Sequence, residues 1–462
     1  MILLAITLYV LAQLGIAAWA ARGTESDDDY LLAGRSLGLW PVAMSVFATW
    51  FAAETVIATT GETARLGLAG ARVEPFAYGF GLIALALVVA HKIRAGGHFT
   101  LAGFLGARFG LRVELVSAII IALSASVWAA AQLNALAVLI STLADLPFLL
   151  SLAIGTTLVL TYTFVGGLKG DVATDVVQGS VIIIGLIFFF VVVLNKSDGV
   201  GGIPLSALSF DAEGETLFDK LDVWLVPILG TLVAQEAISR LVGAKSPEVA
   251  RNGAFLGGTI YIVVGFLPVG IGLLGPTLGL ELGEGDAFFS SLAEVVLPTW
   301  LFVVISGAIL SAILSSVDSA LLAASAPITE SGIRRIWPNL DSKTRLRSAR
   351  LATIGVGLCA AAVAASGQSI RDIVLTASEV SSLLLVPTLI TLFTPQSGRW
   401  PALMSLFVGA LSLFVLHWTL GVPGGYLLTL LLGALAYGLT LLVLRVFSIG
   451  QPTKTNSSRL NP

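Results

Sequence analysis

The 462-residue sequence is 56% hydrophobic and only 11% charged, whereas soluble globular proteins carry about 25% charged residues. A mean hydropathy of +0.96 leaves too few polar side chains to cover a water-exposed surface, which excludes a soluble protein and predicts lipid around most of the chain. The net charge of −3 comes without a basic block, so no nucleic-acid partner is expected.

Apolar runs of the length that crosses a bilayer, about 20 residues each, recur along the whole chain. They predict spans at about 2–21, 39–61, 71–91, 113–143, 147–166, 168–194, 221–243, 252–275, 299–326, 350–366, 372–395, 399–420 and 424–448. Lipid cannot satisfy open backbone groups, so each span is expected to be a helix. We therefore predict an all-α polytopic membrane protein of about 13 spans. It forms one domain over 1–450, followed by a disordered cytoplasmic tail at 451–462.

The Lys and Arg residues test this model, because cytoplasmic loops of membrane proteins are enriched in both. With the N-terminus outside, five of the 25 Lys and Arg residues fall on the outer side and 20 on the inner side. The five are Arg65, Arg72, Lys196, Lys220 and Arg371. Arg240 counts with the inner loops. The asymmetry predicts an outer N-terminus and a cytoplasmic C-terminus.

The second span is interrupted by polar residues at Thr49, Trp50, Glu54 and Thr55. A broken helix here would free backbone carbonyls for a cation and expose side chains to a solute near the membrane midplane. The alternative is an ordinary helix whose Trp50 lines a path.

Small polar residues form one face of the ninth span, where Ala312, Ser315, Ser316 and Ser319 follow the i, i+3, i+4, i+7 pattern. Their oxygens suit a hard cation such as Na⁺, while a seam of small residues that packs two helices is the alternative. Asp318 favours the ion, because helix packing does not need a carboxylate.

Acidic residues within the spans are costly and by default indicate a functional site. They are Glu54, Glu74, Asp175, Glu236, Asp318 and Glu379. Basic residues at the same depth are nearly absent, which predicts an acidic interior and a cation pathway. Alternatively, some of these acids lie near span ends and reach water.

Four stretches together resemble the solute:sodium symporter family, which includes bacterial proline and sugar symporters. They are DYLLAGRSLG at 29–38, ATWFAAE at 48–54, YTFVGG at 162–167 with TDVVQ at 174–178, and SAILSSVDS at 311–319, continuing through 326. The resemblance implies a LeuT-like fold of two inverted five-helix repeats, at about 39–194 and 221–395, with one extra helix before them and two after.

The resemblance also implies a sodium site between the broken second span and the serine-bearing ninth span. Its ligands would be the backbone carbonyls of Ala48, Phe51 and Ala312 with the hydroxyls of Ser315 and Ser316. Some members hold a further ion; here Asp175, Asp318 and Ser319 would form that second site or a release path.

Local motifs are most similar to the high-affinity choline transporter branch, whose members hold a quaternary ammonium in an aromatic cage. Trp50, Trp128 and Tyr78 would supply this cage, and Glu54 and Gln235 would adjoin it. The residue before Gln235 is alanine, where that branch has a tryptophan, which leaves the cage open on one side.

We therefore expect a sodium-coupled symporter that imports a small organic solute by alternating access, with an amine or choline-like quaternary ammonium favoured. A proline-like amino acid or a monocarboxylate is the alternative, as is a solute sensor of the same fold. No P-loop, HExxH motif or cysteine pair occurs, so neither an enzyme nor an organic cofactor is expected. The protein is predicted to act as a monomer in the lipid of the plasma (inner) membrane.

Overall fold

The computed structural model describes residues 2–22, 26–197, 199–212, 214–280, 283, 285, 287–366, 370–394 and 398–449. The tail predicted at 451–462 lies outside the described residues. Within the described ranges the chain forms twenty α-helices and no β-strand. The helices are α1 Ile2–Ala20, α2 Asp27–Leu32, α3 Leu39–Trp50, α4 Thr59–Leu66, α5 Tyr78–Leu85, α6 His91–Gly96, α7 Leu101–Phe109, α8 Leu111–Ala144, α9 Phe148–Lys196, α10 Leu217–Thr231, α11 Gln235–Gly243, α12 Pro247–Leu274, α13 Ala287–Val296, α14 Thr299–Pro327, α15 Arg334–Ile336, α16 Ser342–Ala364, α17 Ile370–Ser382, α18 Leu385–Phe393, α19 Arg399–Ser412 and α20 Gly425–Ile449.

Membrane-spanning segments dominate the fold, which confirms the all-helical membrane class. Among the described residues, 9 helical segments are long and apolar enough to cross a bilayer, or up to 11 if each of two bent pairs is one span. Shorter apolar helices at Leu11–Ala20 and Phe148–Thr161 coincide with the predicted first and fifth spans. The exact number of 13 is not established by these lengths.

The predicted fifth and sixth spans meet at Gly167, whose non-helical backbone separates two helical segments within α9. This glycine has a φ of 54°, a conformation that residues with a Cβ rarely adopt. A Cβ at this position would lie 2.5 Å from the ring of Tyr30. Both the backbone conformation and the close approach of Tyr30 therefore require glycine here.

The second span is broken, as the polar residues in it predict. Helix α3 ends at Trp50, the backbone at Phe51 is not helical (φ −81°, ψ 66°), and the chain continues as a second half at Glu54–Ala69 that is bent by 62°. The Thr55 hydroxyl lies 3.1 Å from the Trp50 carbonyl oxygen, and the Thr59 hydroxyl donates to the Glu54 carbonyl over 3.2 Å. Side-chain hydroxyls thus satisfy carbonyls near the break, as lipid requires.

The span predicted at 221–243 is also interrupted. Helix α10 ends at Thr231, and α11 starts only at Gln235 because Ala234 is extended (φ −69°, ψ 118°). Each of the two predicted repeats therefore begins with a broken helix; the repeat boundaries themselves remain a prediction.

Helix α14 lies at the centre of the bundle, where it packs on α8, α9 and α3. From Ile309 to Pro327 every residue of this helix is buried. Burial of apolar surface drives little association within lipid, so close packing and interhelical hydrogen bonds hold such a helix in place. The serines and alanines of α14 permit both.

Candidate functional site

A cavity lies where the two broken helices meet. It is narrow in this conformation, with a volume of about 40 Å³, so a small organic molecule would fit only after the walls move apart. Its lining residues are Trp50, Glu54, Glu74, Tyr78, Ser124, Trp128, Gly230, Thr231, Ala234, Glu236, Val374, Ala377, Ser378 and Ser381. Four of the five predicted substrate residues therefore line the same cavity: Trp50, Glu54, Tyr78 and Trp128.

Aromatic rings form part of the cavity wall. The ring centroids of Trp50 and Trp128 are 5.7 Å apart with an interplanar angle of 39°, so the two indoles present adjoining, tilted faces. The Tyr78 hydroxyl is 2.7 Å from the Ser378 hydroxyl, which fixes that ring against α17. Such faces attract organic cations, and more strongly when water is excluded.

Glu54 is held beside these rings by two neutral donors from α8. Trp128 Nε1 donates to its Oε1 over 3.0 Å, and Gln132 Nε2 donates to its Oε2 over 2.6 Å. The carboxylate is thereby oriented but not neutralised, because neither donor carries a charge.

Two further acids line the same cavity, although sequence reasoning identified them only as acids at membrane depth. The Glu74 carboxylate accepts a hydrogen bond from Tyr261 over 2.6 Å and also contacts the Thr55 hydroxyl. Glu236 lies in the first turn of α11 and is 6% exposed. We call Glu54, Glu74 and Glu236 the cavity acids.

Gln235, the fifth predicted substrate residue, is not among the residues that line the cavity. Its Oε1 accepts from the backbone N–H of Leu101 over 2.9 Å, and its Nε2 donates to Ser239 over 3.1 Å. Gln235 therefore fastens the start of α11 to the start of α7. The break at residues 232–234 turns Glu236, not Gln235, toward the cavity.

Of the predicted sodium ligands, Ser316 and the Ala312 carbonyl lie together at the contact between α3 and α14, whereas the Ser315 hydroxyl bonds to Asp175 on α9. The Ser316 hydroxyl lies 2.7 Å from the carbonyl oxygen of Thr49 and 3.0 Å from that of Ala312. The Ala52 N–H donates a hydrogen bond to the Trp50 carbonyl over 2.9 Å. It therefore does not form the regular α-helical hydrogen bond to the Ala48 carbonyl. Phe51 lies at the break itself. This seam thus contains carbonyl and hydroxyl oxygens of the kind that Na⁺ prefers.

Beside this seam lies a second group of acids, which surrounds Arg240. The guanidinium donates to the Asp171 carboxylate and to the Ser319 hydroxyl, and lies 3.8 Å from Asp175. Asp175 in turn accepts from the hydroxyls of Ser45 and Ser315, and Asp318 is in hydrogen-bond contact with Asp171. We call Arg240, Asp171, Asp175, Asp318 and Ser319 the arginine cluster.

The arginine cluster corrects two expectations. Arg240 was counted with the inner loops, yet its side chain is fully buried, with 0% exposure. A base is therefore present at membrane depth, in contact with residues expected at the second ion site. Sequence reasoning also missed Asp171. Its signal is the spacing of four residues to Asp175, which places both carboxylates on one helix face.

A second, smaller space adjoins the cavity. It shares Glu54, Glu74 and Val374 with the cavity and is also lined by Glu62 and Arg371. Arg371 Nη1 is 2.9 Å from Glu62 Oε2. This ion pair bridges α17 and the second half of the broken span, at the end of the path that the charge pattern predicts to be outside.

Comparison with known proteins identifies the family. The model of the sodium:solute symporter family matches residues 30–409. High-affinity choline transporter 1 of Caenorhabditis elegans is 24% identical, covering 88% of this chain and 76% of that protein. The high-affinity proline transporter PutP of Bacillus subtilis is 26% identical, with 87% and 89% covered. The sodium/pantothenate symporter of Escherichia coli is 25% identical, with 90% of each chain covered.

Solved structures show the same fold. A Na⁺-coupled sialic acid symporter, in a substrate-bound outward-open state, superimposes with a TM-score of 0.79 at 18% identity, covering 95% of this chain and 97% of that one. Mhp1, a nucleobase-cation-symport-1 family transporter, gives a TM-score of 0.59 at 17% identity, with 90% and 95% covered. These similarities confirm the LeuT-like fold class. Since the family model spans most of the sequence, the chain belongs to the sodium:solute symporter family: it is a membrane transporter, not an enzyme, with Na⁺ as its co-transported ion.

Proposed function

We propose that this transporter uses the sodium gradient to import a small organic cation, an amine or a quaternary ammonium, across the plasma membrane. The observation that carries the proposal is the cavity at the two helix breaks. Glu54 and the indoles of Trp50 and Trp128 line it, while no Lys, Arg or His does so among the described residues. An acidic, aromatic and base-free space attracts a cation through both its charge and its ring faces.

The same chemistry argues against the alternative solutes. A monocarboxylate, or the carboxylate of an amino acid such as proline, would face Glu54, Glu74 and Glu236, and no basic side chain is among the described residues that line this cavity. Like charges at short range in a buried site repel strongly. Among the relatives, the choline transporter handles a solute of the favoured class, whereas the pantothenate symporter handles an acid.

Sodium is proposed to bind at the seam between α3 and α14, with the carbonyls of Ala48, Phe51 and Ala312 and the hydroxyls of Ser315 and Ser316. The support is the position of Ser316, whose hydroxyl lies 2.7 Å from a carbonyl of the broken helix. An ion at this seam joins two helices that separate when the transporter opens inward. A membrane potential of about 100 mV adds roughly 2.3 kcal/mol for each charge that moves inward.

One sodium ion per cycle is favoured over two. A second ion was expected near Asp175, Asp318 and Ser319, where the Arg240 guanidinium already contacts Ser319 and lies 3.8 Å from Asp175. The guanidinium already uses these oxygens as its own partners, which leaves fewer of them to coordinate a second ion. Asp175 would then serve the release path, because its carboxylate accepts a hydrogen bond from Ser315 of the proposed sodium site.

The proposed orientation places the N-terminus outside and the C-terminus in the cytoplasm, and the transporter acts as a monomer. The Glu62–Arg371 ion pair then lies on the outer side of the cavity. Opening this pair would admit the solute, and alternating access would follow by separation of α3 from α14.

A thermal-shift screen of the purified transporter tests the proposal. Amines and choline should stabilise the protein in Na⁺ but not in an equal concentration of K⁺, whereas proline and monocarboxylates should not. Uptake of labelled choline or amine into proteoliposomes should then require a Na⁺ gradient. Sodium-dependent stabilisation by an acid or a sugar alone would overturn the proposed substrate class.

A further inference from the structure

The three cavity acids come from three different parts of the chain. Glu54 begins the second half of the first broken helix, Glu74 precedes α5, and Glu236 begins α11 in the second broken helix. They are 4%, 6% and 6% exposed, respectively. Carboxylates on both broken helices therefore face one small space.

The cavity acids differ in how fully the protein occupies their oxygens. Both oxygens of Glu54 accept hydrogen bonds, from Trp128 and Gln132. For Glu74, the contacts with Tyr261 and Thr55 all fall on Oε2. These donors are neutral, so they orient the two carboxylates without balancing their charge.

Glu236 is the most informative of the three. Among the described residues, no other side chain forms a hydrogen bond with its carboxylate, which is contacted by its own backbone N–H and interacts with the charge of Arg240 through space. Arg240, one turn further along α11, bonds to the backbone carbonyl of Glu236 over 3.0 Å, and its guanidinium is engaged by the arginine cluster. A carboxylate that is 94% buried and lines a cavity without a hydrogen-bonding side chain points to a donor supplied from outside.

The placement of the cavity acids indicates how much positive charge that donor can carry. An unpaired charge is costly in a dry site, and the cost falls when an opposite charge binds. A solute with one cationic centre beside Glu54 and the indoles would leave Glu236, on the other broken helix, without a counter-charge. A solute with two cationic centres would reach both helices.

We infer that the substrate is a dication of the short-chain diamine class, with one cationic centre against Trp50, Trp128 and Glu54 and the other at Glu236. This inference rests on the proposed function, since it specifies the charge of the organic cation that the same cavity binds. It also assigns Glu236 as the residue that distinguishes dications from monocations.

Paired ligands of equal chain length test the inference. Binding of 1,4-diaminobutane and of butylamine is measured by calorimetry on the transporter in nanodiscs, with Na⁺ and with K⁺. The diamine should bind at least about tenfold more tightly than the monoamine in Na⁺. E236Q should reduce this ratio to about twofold or less while sodium-dependent monoamine binding persists.

The matched control is E379Q. Glu379 is another buried acid, 8% exposed, but it binds His417 and Trp418 outside the cavity lining, so this variant should keep the diamine preference. If E236Q is not monodisperse, E74Q removes a carboxylate of the same cavity and tests the same charge balance.

Two results overturn the inference. One is equal affinity for both amines in the unaltered protein, and the other is a diamine preference that survives in E236Q and E74Q. Sodium-dependent monoamine binding in either case would leave the proposed function standing. Absence of sodium-dependent binding of any amine would overturn the proposed function as well.

Discussion

Two groups of buried carboxylates adjoin the broken helix, and they differ in the source of their counter-charge. In one group a side chain of the protein provides the positive charge, and in the other no side chain hydrogen-bonded to the carboxylates does so. In the arginine cluster, Asp171 and Asp175 lie around the guanidinium of Arg240, which is 0% exposed. Among the described residues, the donors that hydrogen-bond to Glu54 and Glu74 are neutral. We therefore propose two roles for these carboxylates: acids that pair with Arg240 hold helices together, and the cavity acids are available for a solute.

The difference has an energetic basis. Removing one member of a buried ion pair leaves the other charge uncompensated and typically costs about 3–5 kcal/mol. Removing an acid that has no counter-ion relieves a penalty instead. Substitutions in the two groups should therefore affect different properties, folding in the arginine cluster and ligand binding in the cavity.

The largest effect is expected for Arg240→Gln. The substitution leaves Asp171 and Asp175 without their cation, so we expect the unfolding free energy to fall by about 3–5 kcal/mol, measured as thermal stability in detergent. Double substitution with Asp171→Asn should recover part of the loss.

The control for this variant is Lys220→Gln, because Lys220 forms an exposed ion pair with Asp211, the two side chains being 35% and 71% exposed. Exposed pairs contribute little to stability, so Lys220→Gln should be nearly neutral. Equal stability of R240Q and the unaltered protein would show that the arginine cluster is not held together by its charge. A steeper Na⁺ dependence in R240Q would support the view that Arg240 replaces a second ion.

Glu54→Gln should have the opposite profile. It removes a charge from the cavity but keeps an amide oxygen for Trp128 or Gln132 to donate to, so thermal stability should be retained. Affinity for the organic cation should fall by about 10- to 100-fold, or roughly 1.4–2.8 kcal/mol, in a sodium-dependent binding assay. A loss of thermal stability with unchanged affinity for the organic cation would show that Glu54 stabilises the fold, as the acids of the arginine cluster do. The two groups would then not differ in role.

The smallest effect is expected for Ser316→Ala, which removes one neutral oxygen at the seam between the two groups. The Na⁺ concentration for half-maximal uptake should rise by about 3- to 10-fold. The reason is that one contact with the strength of a hydrogen bond contributes about 0.5–1.5 kcal/mol of net free energy. Solute affinity at saturating Na⁺ should remain the same. An unchanged Na⁺ dependence would remove Ser316 from the sodium site.

Much of this arrangement could be predicted from residues that do not belong in an apolar span. Trp50, Glu54 and Trp128 are conspicuous there, and the structure places all three at the cavity. The serine face of α14 follows directly from helical periodicity, and the structure brings it against α3. The all-helical membrane class follows from the length and number of the apolar runs, whereas the LeuT-like fold was expected only from the resemblance of four sequence stretches to the family.

The remainder depends on backbone geometry that residue patterns do not report. The extended backbone at Ala234 changes the directions in which the side chains after it point. As a result Glu236 lines the cavity, whereas Gln235 was expected to do so. Arg240 was misplaced because counting positive charges assigns bases near a span end to a loop, whereas tertiary packing gives this one Asp171 as a partner. Only the three-dimensional contact shows that the pair exists.

The hydroxyls of Thr55 and Thr59 at the broken helix have a mechanical consequence. They contact the carbonyls of Trp50 and Glu54, beside the bend of 62°. The Ala52 N–H bonds to the Trp50 carbonyl across Phe51 and does not close a helical turn. A change in the bend angle at this point would therefore require separation of side chains but no unwinding of a helical turn.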